Sequence, residues 1–167
     1  MGLIIFKNTK TINLFFTTNC PVSVDKTVSF NLILSPEFYW SKIFDIPLKN
    51  LKDVYKVIPS YFEDIIDISC YKFYVLPYKE KYLAIAYDEE KILHTLKTSN
   101  ISLSSIKKIY FAQIEFLDTN FSYVPFEYDS KGYGYINDIF VQVPKQFITT
   151  PKTLDLQNIY HQKIAIS

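Results

Sequence analysis

The sequence contains no arginine, and all 18 of its basic residues are lysines. Arginine is the side chain that most often makes paired hydrogen bonds to a phosphate or a guanine, so its absence argues against recognition of phosphates or bases. The formal net charge is only +1, which favours neither a nucleic acid nor an acidic partner. We therefore expect no direct nucleic-acid partner.

Glycine is also scarce, with Gly2, Gly132 and Gly134 in the whole chain. A phosphate-binding loop needs glycines that bring backbone N–H groups close to the phosphates, and it opens a helix. The pair in Lys131-Gly-Tyr-Gly134 precedes strand-like sequence instead and predicts a β-turn. This pattern excludes nucleotide hydrolysis by a P-loop.

The two cysteines, Cys20 and Cys70, have no CxxC spacing, which predicts buried thiols in a reducing cytoplasm. His94 and His161 have no second histidine or paired cysteine near them in the sequence, so no metal site is predicted. The sequence therefore predicts neither a metal nor any other cofactor.

Long apolar runs are missing too. No stretch approaches the ~20 apolar residues of a membrane span, and the start, MGLIIFKNTK, lacks the pattern of a secretory signal. Hydrophobic residues nevertheless make up 49% of the chain and aromatic residues 17%, which argues against disorder. We expect one soluble, cytoplasmic domain, either by itself or as part of a longer, membrane-anchored protein.

Four β-rich runs open the chain. Leu3–Phe6 and Thr11–Thr17 flank a polar linker and predict a β-hairpin. Thr27–Leu34 and Phe38–Ile46 predict two further strands. Trp40 lies in the last of these runs, and we expect it to be a core or half-buried aromatic residue.

An amphipathic helix is predicted next, in the stretch NLKDVYKVIPSYFEDIID from Asn50 to Asp67. Its apolar residues have helical spacing, and Asn50 is the predicted N-cap. Pro59 interrupts the pattern and costs roughly 3 kcal/mol in a helix interior. We expect a kink there that lets Leu51–Ile58 and Phe62–Ile66 each lie against a curved sheet.

The middle of the chain predicts a hairpin, a helix and a strand. The hairpin joins Tyr71–Leu76 to Tyr82–Tyr87 across a polar turn. Asp88 is placed to cap a helix over Glu89–Thr98, and a strand is predicted over Lys108–Phe116.

The last 50 residues contain several turn signals, with short strands predicted at Tyr133–Tyr135 and Ile139–Val143. We therefore divide the chain into an α/β lobe at residues 1–117 and a β-rich extension at residues 118–167. The predicted fold class is α/β (α+β), with a mixed twisted sheet and two main helices.

Two groups of polar residues are candidates for a site. Asp25, Asp45, Asp88 and Asp138 lie near predicted strand ends and would bind Mg²⁺ if the fold gathered them, as in a nuclease. Each also sits where a cap or turn is expected, and this interpretation is favoured, so we predict no catalytic residue.

The second group follows the polar side of the proline-containing helix, opposite its apolar stripe. It is either an ordinary solvated surface or a partner-binding face. Its members are Lys52, Lys56, Ser60, Glu63, Asp64 and Asp67.

The middle of the chain resembles the cytoplasmic domain of the L protein of type II secretion systems and the related PilM protein of type IV pilus machines. In that family a helix of the form "hydrophobic, alanine or valine, hydrophobic, proline, two residues, hydrophobic, Glu, Asp or Glu" follows a strand. The residues that fit this pattern are Val57, Ile58, Pro59, Phe62, Glu63 and Asp64. A strand ending in Asp88, a helix and a strand at Ile106–Phe111 then follow, so that the resemblance covers roughly residues 30–116.

The resemblance implies a reduced actin-like (ribonuclease-H-like) fold and a subunit of an assembly platform. In the family, this domain holds the N-terminal region of the secretion or pilus ATPase at the cytoplasmic face of the bacterial inner membrane. Other inner-membrane platform proteins are further implied partners, and a homodimer is compatible with this role. The same platforms serve DNA uptake in natural transformation.

Two alternatives remain open. A nucleotide-binding, PilM-like protein would carry an Asp-x-Gly-Thr/Ser turn in its opening hairpin, but here that turn is Phe6-Lys-Asn-Thr-Lys10, which favours the branch without nucleotide hydrolysis. An unrelated enzyme or nuclease would depend on residues such as Asp88 and Asp138.

Overall fold

The computed structural model describes residues 10–19, 28–117, 126–128, 130–144, 146 and 148. Within them the chain forms three sheets of three strands each and three α-helices. The elements are β1 (Lys10–Phe16), β2 (Val28–Leu34), β3 (Tyr39–Phe44), α1 (Leu51–Phe62), β4 (Lys72–Tyr78), β5 (Lys81–Tyr87), α2 (Glu89–Thr98), β6 (Ile106–Phe111), α3 (Ala112–Glu115), β7 (Phe126–Tyr128), β8 (Lys131–Ile136) and β9 (Ile139–Val143).

The first sheet has the order β1-β2-β6, and its strands are all parallel. Parallel strands need a crossover connection, and the connection from β2 to β6 contains the whole second sheet with α1 and α2. Alternate residues of the strands face opposite sides. Leu32 and Leu34 pack in a core cluster with α2, whereas Ile33 packs in another with the third sheet. The predicted hairpin partner of β1, Leu3–Phe6, lies outside the described residues.

The second sheet has the order β3-β5-β4 and is antiparallel. The predicted hairpin is confirmed, with Lys79 and Glu80 as its two-residue turn. One face of the sheet packs against the buried residues Val54, Ile58 and Phe62 of α1. The other face joins the core formed with the first sheet and α2.

Helix α2 matches its prediction in both bounds and cap. The Asp88 side chain accepts a hydrogen bond from the backbone N–H of Lys91 at 3.0 Å, and Glu89 and Glu90 follow in the first turn, where the helix dipole favours acids. Ile92 and Leu96 are buried in the core. Local sequence rules are therefore sufficient for this helix.

The third sheet, β7-β8-β9, is antiparallel. The predicted β-turn at Lys131-Gly-Tyr-Gly134 is wrong, because both glycines lie inside β8. A Cβ added at Gly132 would lie 2.7 Å from the carbonyl oxygen of Val143 and 2.6 Å from Ile148 Cδ1. Glycine is needed at position 132 because a side chain would clash there. The backbone of β8 is held extended by its pairing with β7 and β9.

The tight turns use other residues. Two of the hairpin loops, Lys79-Glu80 and Asn137-Asp138, have positive φ at their two central positions, as type I′ turns require. No glycine among the described residues has a positive φ. Scarce glycine is thus replaced in the turns by lysine, glutamate, asparagine and aspartate.

Three further predictions differ from the structure. The strand predicted over Lys108–Phe116 ends at Phe111, where α3 begins. The Gln113 N–H donates to the Tyr39 hydroxyl at 3.0 Å, and the Tyr135 hydroxyl donates to the Gln113 carbonyl at 2.8 Å. These side chains satisfy the backbone of α3 and so stabilise the change from strand to helix.

Trp40 and Cys70 are both exposed, against expectation. Trp40 is 52% exposed because β3 is an edge strand within the described ranges and α1 lies over β4 at the opposite edge. Cys70 ends a short 3₁₀ turn at Ile68–Cys70 on the surface. The other cysteine, Cys20, lies outside the described residues.

Candidate functional site

The polar side of α1 is the first candidate surface. The predicted cap is present, since Asn50 Oδ1 accepts from the Lys52 N–H at 2.9 Å. The helix ends at Phe62, four residues before the predicted Ile66. Beyond it the N–H groups of Ile65 and Ile66 both donate to the Phe62 carbonyl, at 2.9 and 3.0 Å, and the Ile66 side chain packs against the core shared by α1 and the second sheet.

All six predicted residues of this surface are exposed. Lys52, Lys56, Ser60 and Glu63 fall on one side of the helix, at the spacing that places residues on one face. Asp64 and Asp67 come in the turn after it. The surface therefore runs from two lysines at the start of α1 to three carboxylates past its end, and we call it the α1 face.

Asp67 differs from the other members of the α1 face because its carboxylate is already engaged. It accepts hydrogen bonds from the Ser69 hydroxyl at 2.7 Å and the Ser69 N–H at 3.1 Å. These bonds lower the pKa of Asp67, because they stabilise the charged form. Asp67 thus caps the 3₁₀ turn, which the sequence did not predict, in addition to contributing charge to the surface.

The aspartates considered for metal-dependent catalysis lie on separate elements. Asp88 caps α2, and Asp138 forms an exposed ion pair with Lys79 at 3.1 Å. Hydrogen bonds from Lys79 and Tyr78 lower the pKa of Asp138. Asp45 is exposed after β3. Asp25 lies outside the described residues.

No group of three or more metal-ligating side chains occurs in the described ranges. His94 is exposed on α2. His161 falls outside the part of the chain that the structure describes. Asp88 at a helix cap and Asp138 in a hairpin turn lie where the cap-and-turn interpretation expects them.

A second surface is a cavity of about 710 Å³ that the sequence did not reveal. It lies between β3 and β9 and is closed at one end by the start of α2. Trp40, Ser41, Phe140 and Gln142 contribute to its walls, together with Lys91. β3 and β9 are about 100 residues apart in sequence, so no local pattern could predict it. We call this cavity the β3 groove.

Glu37 lies at the end of the β3 groove and links three segments. Its Oε1 accepts from Lys131 Nζ at 2.5 Å, and its Oε2 accepts from the Thr18 N–H at 2.6 Å. Its backbone carbonyl accepts from Lys91 Nζ at 2.6 Å. Burial raises the pKa of the Glu37 carboxyl, but the bonds from Lys131 and Thr18 outweigh this and hold it below its usual value.

Comparison with known proteins shows which fold this chain resembles. No protein-family model and no curated protein matches the sequence. Among solved structures, the chain is similar to the cytoplasmic domain of EpsL, an inner membrane component of the type II secretion system of Vibrio cholerae. The TM-score is 0.55 at 14% sequence identity.

The alignment covers 79% of this chain and 59% of the EpsL domain, so the chain spans less than two thirds of that domain's length. The likeness confirms the predicted fold class, an α+β domain, with a fold similar to that of the EpsL cytoplasmic domain. None of the helices in the described part of the chain combines the length and hydropathy that a membrane crossing needs.

Proposed function

We propose that this chain is a non-catalytic scaffold of an inner-membrane assembly platform. In this role it recruits the cytoplasmic ATPase of a type II secretion, type IV pilus or DNA-uptake system. The observation that carries the proposal is the similarity of its fold to the cytoplasmic domain of EpsL, an inner-membrane secretion component. The proline-containing helix motif, from Val57 to Asp64, supports it independently from the sequence.

The proposed docking surface is the α1 face. Helix α1 is held rigidly, because Val54, Ile58 and Phe62 are fully buried against the second sheet. Its outer side is therefore a fixed platform, with positive charge at its beginning and negative charge beyond its end. A partner with the opposite order of charges would be oriented as well as attracted.

The proposed location is the cytoplasmic face of the bacterial inner membrane, where such a platform holds its ATPase. The other proposed partners are further platform proteins and a second copy of the chain. Direct contact with nucleic acid is not part of the proposal, even for a DNA-uptake machine.

Binding to the N-terminal domain of the assembly ATPase from the same genome tests the proposal, measured by isothermal titration calorimetry. We expect a 1:1 complex whose affinity falls at least 10-fold in a Glu63→Lys, Asp64→Lys double variant. Asp67 is left unchanged because it caps the 3₁₀ turn. A Glu80→Lys, Glu90→Lys double variant carries the same change of charge at exposed positions elsewhere and should bind as the wild type does.

The two parts of the proposal fail separately. If the wild-type chain does not bind the ATPase domain, the scaffold function is wrong. If the double variant at Glu63 and Asp64 binds with unchanged affinity, the α1 face is not the docking surface.

A further inference from the structure

The two edges of the second sheet differ in their protection, and β4 is the closed one. Tyr78 and Lys81 flank the two-residue turn as a hydrogen-bonded pair. Because hydrogen-bonded and non-hydrogen-bonded pairs alternate along an antiparallel ladder, the backbone N–H and C=O groups of Val75 and the C=O of Pro77 point away from β5. The Tyr55 hydroxyl satisfies both groups of Val75, accepting from its N–H at 2.9 Å and donating to its carbonyl at 3.2 Å. Pro77 has no N–H to offer. An added strand would find few free partners on this edge.

The other edge, β3, has no hydrogen-bonded neighbour among the described residues, and β9 lies beside it across the β3 groove. The Asp88 N–H donates to the Phe38 carbonyl at 3.0 Å, which fixes the alternation of hydrogen bonds along β3. Tyr39, Ser41 and Ile43 therefore turn their N–H and C=O groups away from β5. In the described part of the chain, β3 pairs with β5 on one side and with no strand on the other. No proline interrupts it.

The β3 groove runs beside this open edge and has features of a binding site. Its volume of about 710 Å³ falls in the range of typical ligand pockets. The Ser41 hydroxyl oxygen is buried and has no hydrogen-bond partner within the described ranges, although a buried hydroxyl normally has one. Trp40 also lines the groove with a half-exposed indole, on the opposite face of β3 from Ser41 because neighbouring strand residues alternate. Tryptophan is enriched among the residues that dominate binding energy at interfaces.

The charge around the β3 groove favours an acidic occupant. Lys42 is exposed on β3, and Lys91 lines the groove. Neither forms an ion pair with a carboxylate in the described part of the chain. The Glu37 carboxylate is already paired with Lys131, and the Asp88 carboxylate caps α2. A bound acidic side chain would therefore meet two lysines that no carboxylate pairs with in the described ranges. Lys91 Nζ donates to the Glu37 carbonyl at 2.6 Å and keeps its charge there.

We propose that the edge of β3 binds an extended acidic peptide segment of a partner protein as an added β-strand. The outward backbone groups of Tyr39, Ser41 and Ile43 supply the main-chain hydrogen bonds. Trp40 holds the apolar side chains on its own face of the added strand, and Lys91, on the α2 side of the sheet, attracts the carboxylates of the opposite face. Lys42 lies on the same face as Trp40 and adds positive charge beside the edge. Adding a strand to an exposed edge is an established mode of peptide recognition. This site is separate from the α1 face and does not depend on which machine the chain serves.

Fluorescence anisotropy with labelled eight-residue peptides tests the proposal. One peptide alternates valine with glutamate, a second alternates valine with lysine, and a third is the glutamate peptide N-methylated at every second residue. We expect the glutamate peptide to bind at least 10-fold more tightly than the lysine peptide, because of Lys42 and Lys91. The N-methylated peptide should also bind at least 10-fold more weakly, because it cannot complete the main-chain hydrogen bonds.

Matched variants locate the site. Trp40→Ala and Lys42→Glu should each weaken binding of the glutamate peptide at least 5-fold. Leu103→Ala changes an apolar residue of equal exposure, 51% against 52% for Trp40, and Lys107→Glu reverses another exposed lysine. Neither control should change the affinity. On binding, the amide protons of Ser41 and Ile43 should exchange with solvent at least 10-fold more slowly.

Several outcomes would overturn the proposal. One is equal binding of the glutamate and N-methylated peptides, which would indicate side-chain recognition only. Another is no binding of any peptide, or unchanged binding to Trp40→Ala. A third is a dimer in sedimentation that already protects the amides of Ser41 and Ile43 without peptide, because a second copy would then occupy the edge.

Discussion

At the scale of single residues, Glu37 connects three distant parts of the described chain. It joins Thr18 after β1, Lys91 on α2 and Lys131 on β8. The Glu37 side chain is 13% exposed and that of Lys131 is 30% exposed, so solvent screens this ion pair less than an ordinary surface pair. We expect it to contribute measurably to stability.

Glu37→Gln should lower the free energy of unfolding at pH 7 by about 1–3 kcal/mol, since it leaves Lys131 without its carboxylate. The pKa of Glu37 is lower in the folded protein than its usual value of 4.5. Its contribution is therefore complete above pH 4.5 and is lost as the pH falls through the lower folded-state pKa. Urea unfolding of both proteins at several pH values should show their difference shrinking below pH 4.5.

Lys56→Gln is the control for this measurement, because the pair of Lys56 with Asp53 is exposed and should contribute less than about 0.5 kcal/mol. A difference between wild type and Glu37→Gln that stays constant down to pH 3 would contradict the assignment of the effect to the carboxylate.

Predictions for single residues are confirmed where the structure depends on neighbours in the sequence, and they are wrong where it depends on residues far away in the sequence. Asn50 and Asp88 cap their helices as predicted, because a cap depends on the next few residues only. The exposure of Trp40 and Cys70 depends on which strand becomes an edge and where a short turn lies. The requirement for glycine at position 132 comes from the close approach of Val143 and Ile148, which no turn pattern reveals.

At the scale of elements, α1 shows how a proline fits inside a helix. Pro59 is the ninth of the twelve residues of α1, and the carbonyl of Tyr55 loses the N–H that would otherwise bond to it. The helix ends three residues after the proline, at Phe62. The sequence predicted the position of this helix and its buried stripe, but placed its end about one turn too late.

Pro59→Ala should raise the free energy of unfolding by about 1–2 kcal/mol. The restored hydrogen bond and better helix propensity are partly offset by the greater freedom that alanine gives the unfolded chain. Thermal and urea unfolding measure the change, with the neighbouring exposed Ser60→Ala as a control that should shift it by less than about 0.5 kcal/mol. A loss of stability in Pro59→Ala would instead show that packing of the half-buried proline ring dominates.

The β4 edge depends on a single hydroxyl from α1. Tyr55→Phe should lower the free energy of unfolding by about 1–2 kcal/mol, because it removes both hydrogen bonds to Val75. It should also increase self-association, because the freed backbone groups can pair with another strand. Urea unfolding and sedimentation velocity measure the two effects.

Tyr61→Phe is the matched control, since Tyr61 also lies on α1 and is 37% exposed against 36% for Tyr55. Equal behaviour of the two variants would contradict the role given to the Tyr55 hydroxyl.

At the scale of the whole molecule, Gln113 connects the third sheet to the α/β core. Its buried side chain donates from Nε2 to the Asp138 carbonyl at 2.8 Å and accepts at Oε1 from the Phe140 N–H at 2.7 Å. Its own N–H donates to Tyr39. Aromatic rings add to this contact, with Phe15 of β1 packing on Tyr133 of β8 at 5.1 Å between ring centroids.

Gln113→Leu should lower the free energy of unfolding by about 2–4 kcal/mol, because it leaves the Asp138 carbonyl and the Phe140 N–H without their partner. Hydrogen exchange should accelerate most in β8 and β9. Lys79→Met removes the exposed ion pair to Asp138 and the contact of the ammonium with the Tyr78 ring, and it should change stability by less than about 0.5 kcal/mol. Uniform acceleration of exchange over the chain would contradict this prediction, because the third sheet would then open together with the core and not before it.

The fold class and most of the elements could be predicted from the sequence, whereas the arrangement of the sheets could not. Periodicity and caps gave α1, α2 and the β4–β5 hairpin. The parallel pairing of β1 with β2 and the side-by-side position of β3 and β9 depend on contacts far apart in sequence. The six residues of the α1 face could be proposed from helical spacing, but the β3 groove could not, because its walls come together only in the folded chain.

The glycine-free hairpin turns leave room for engineering. Glu80 adopts a φ of 63° in the β4–β5 turn, a conformation that costs a side-chain-bearing residue about 1 kcal/mol and glycine almost nothing. Glu80→Gly should therefore raise the melting temperature, whereas Glu90→Gly in the exposed part of α2 should lower it. The same substitution, glutamate to glycine, would have opposite effects at two sites ten residues apart. The hairpin loops are therefore the first place to improve the thermostability of this chain.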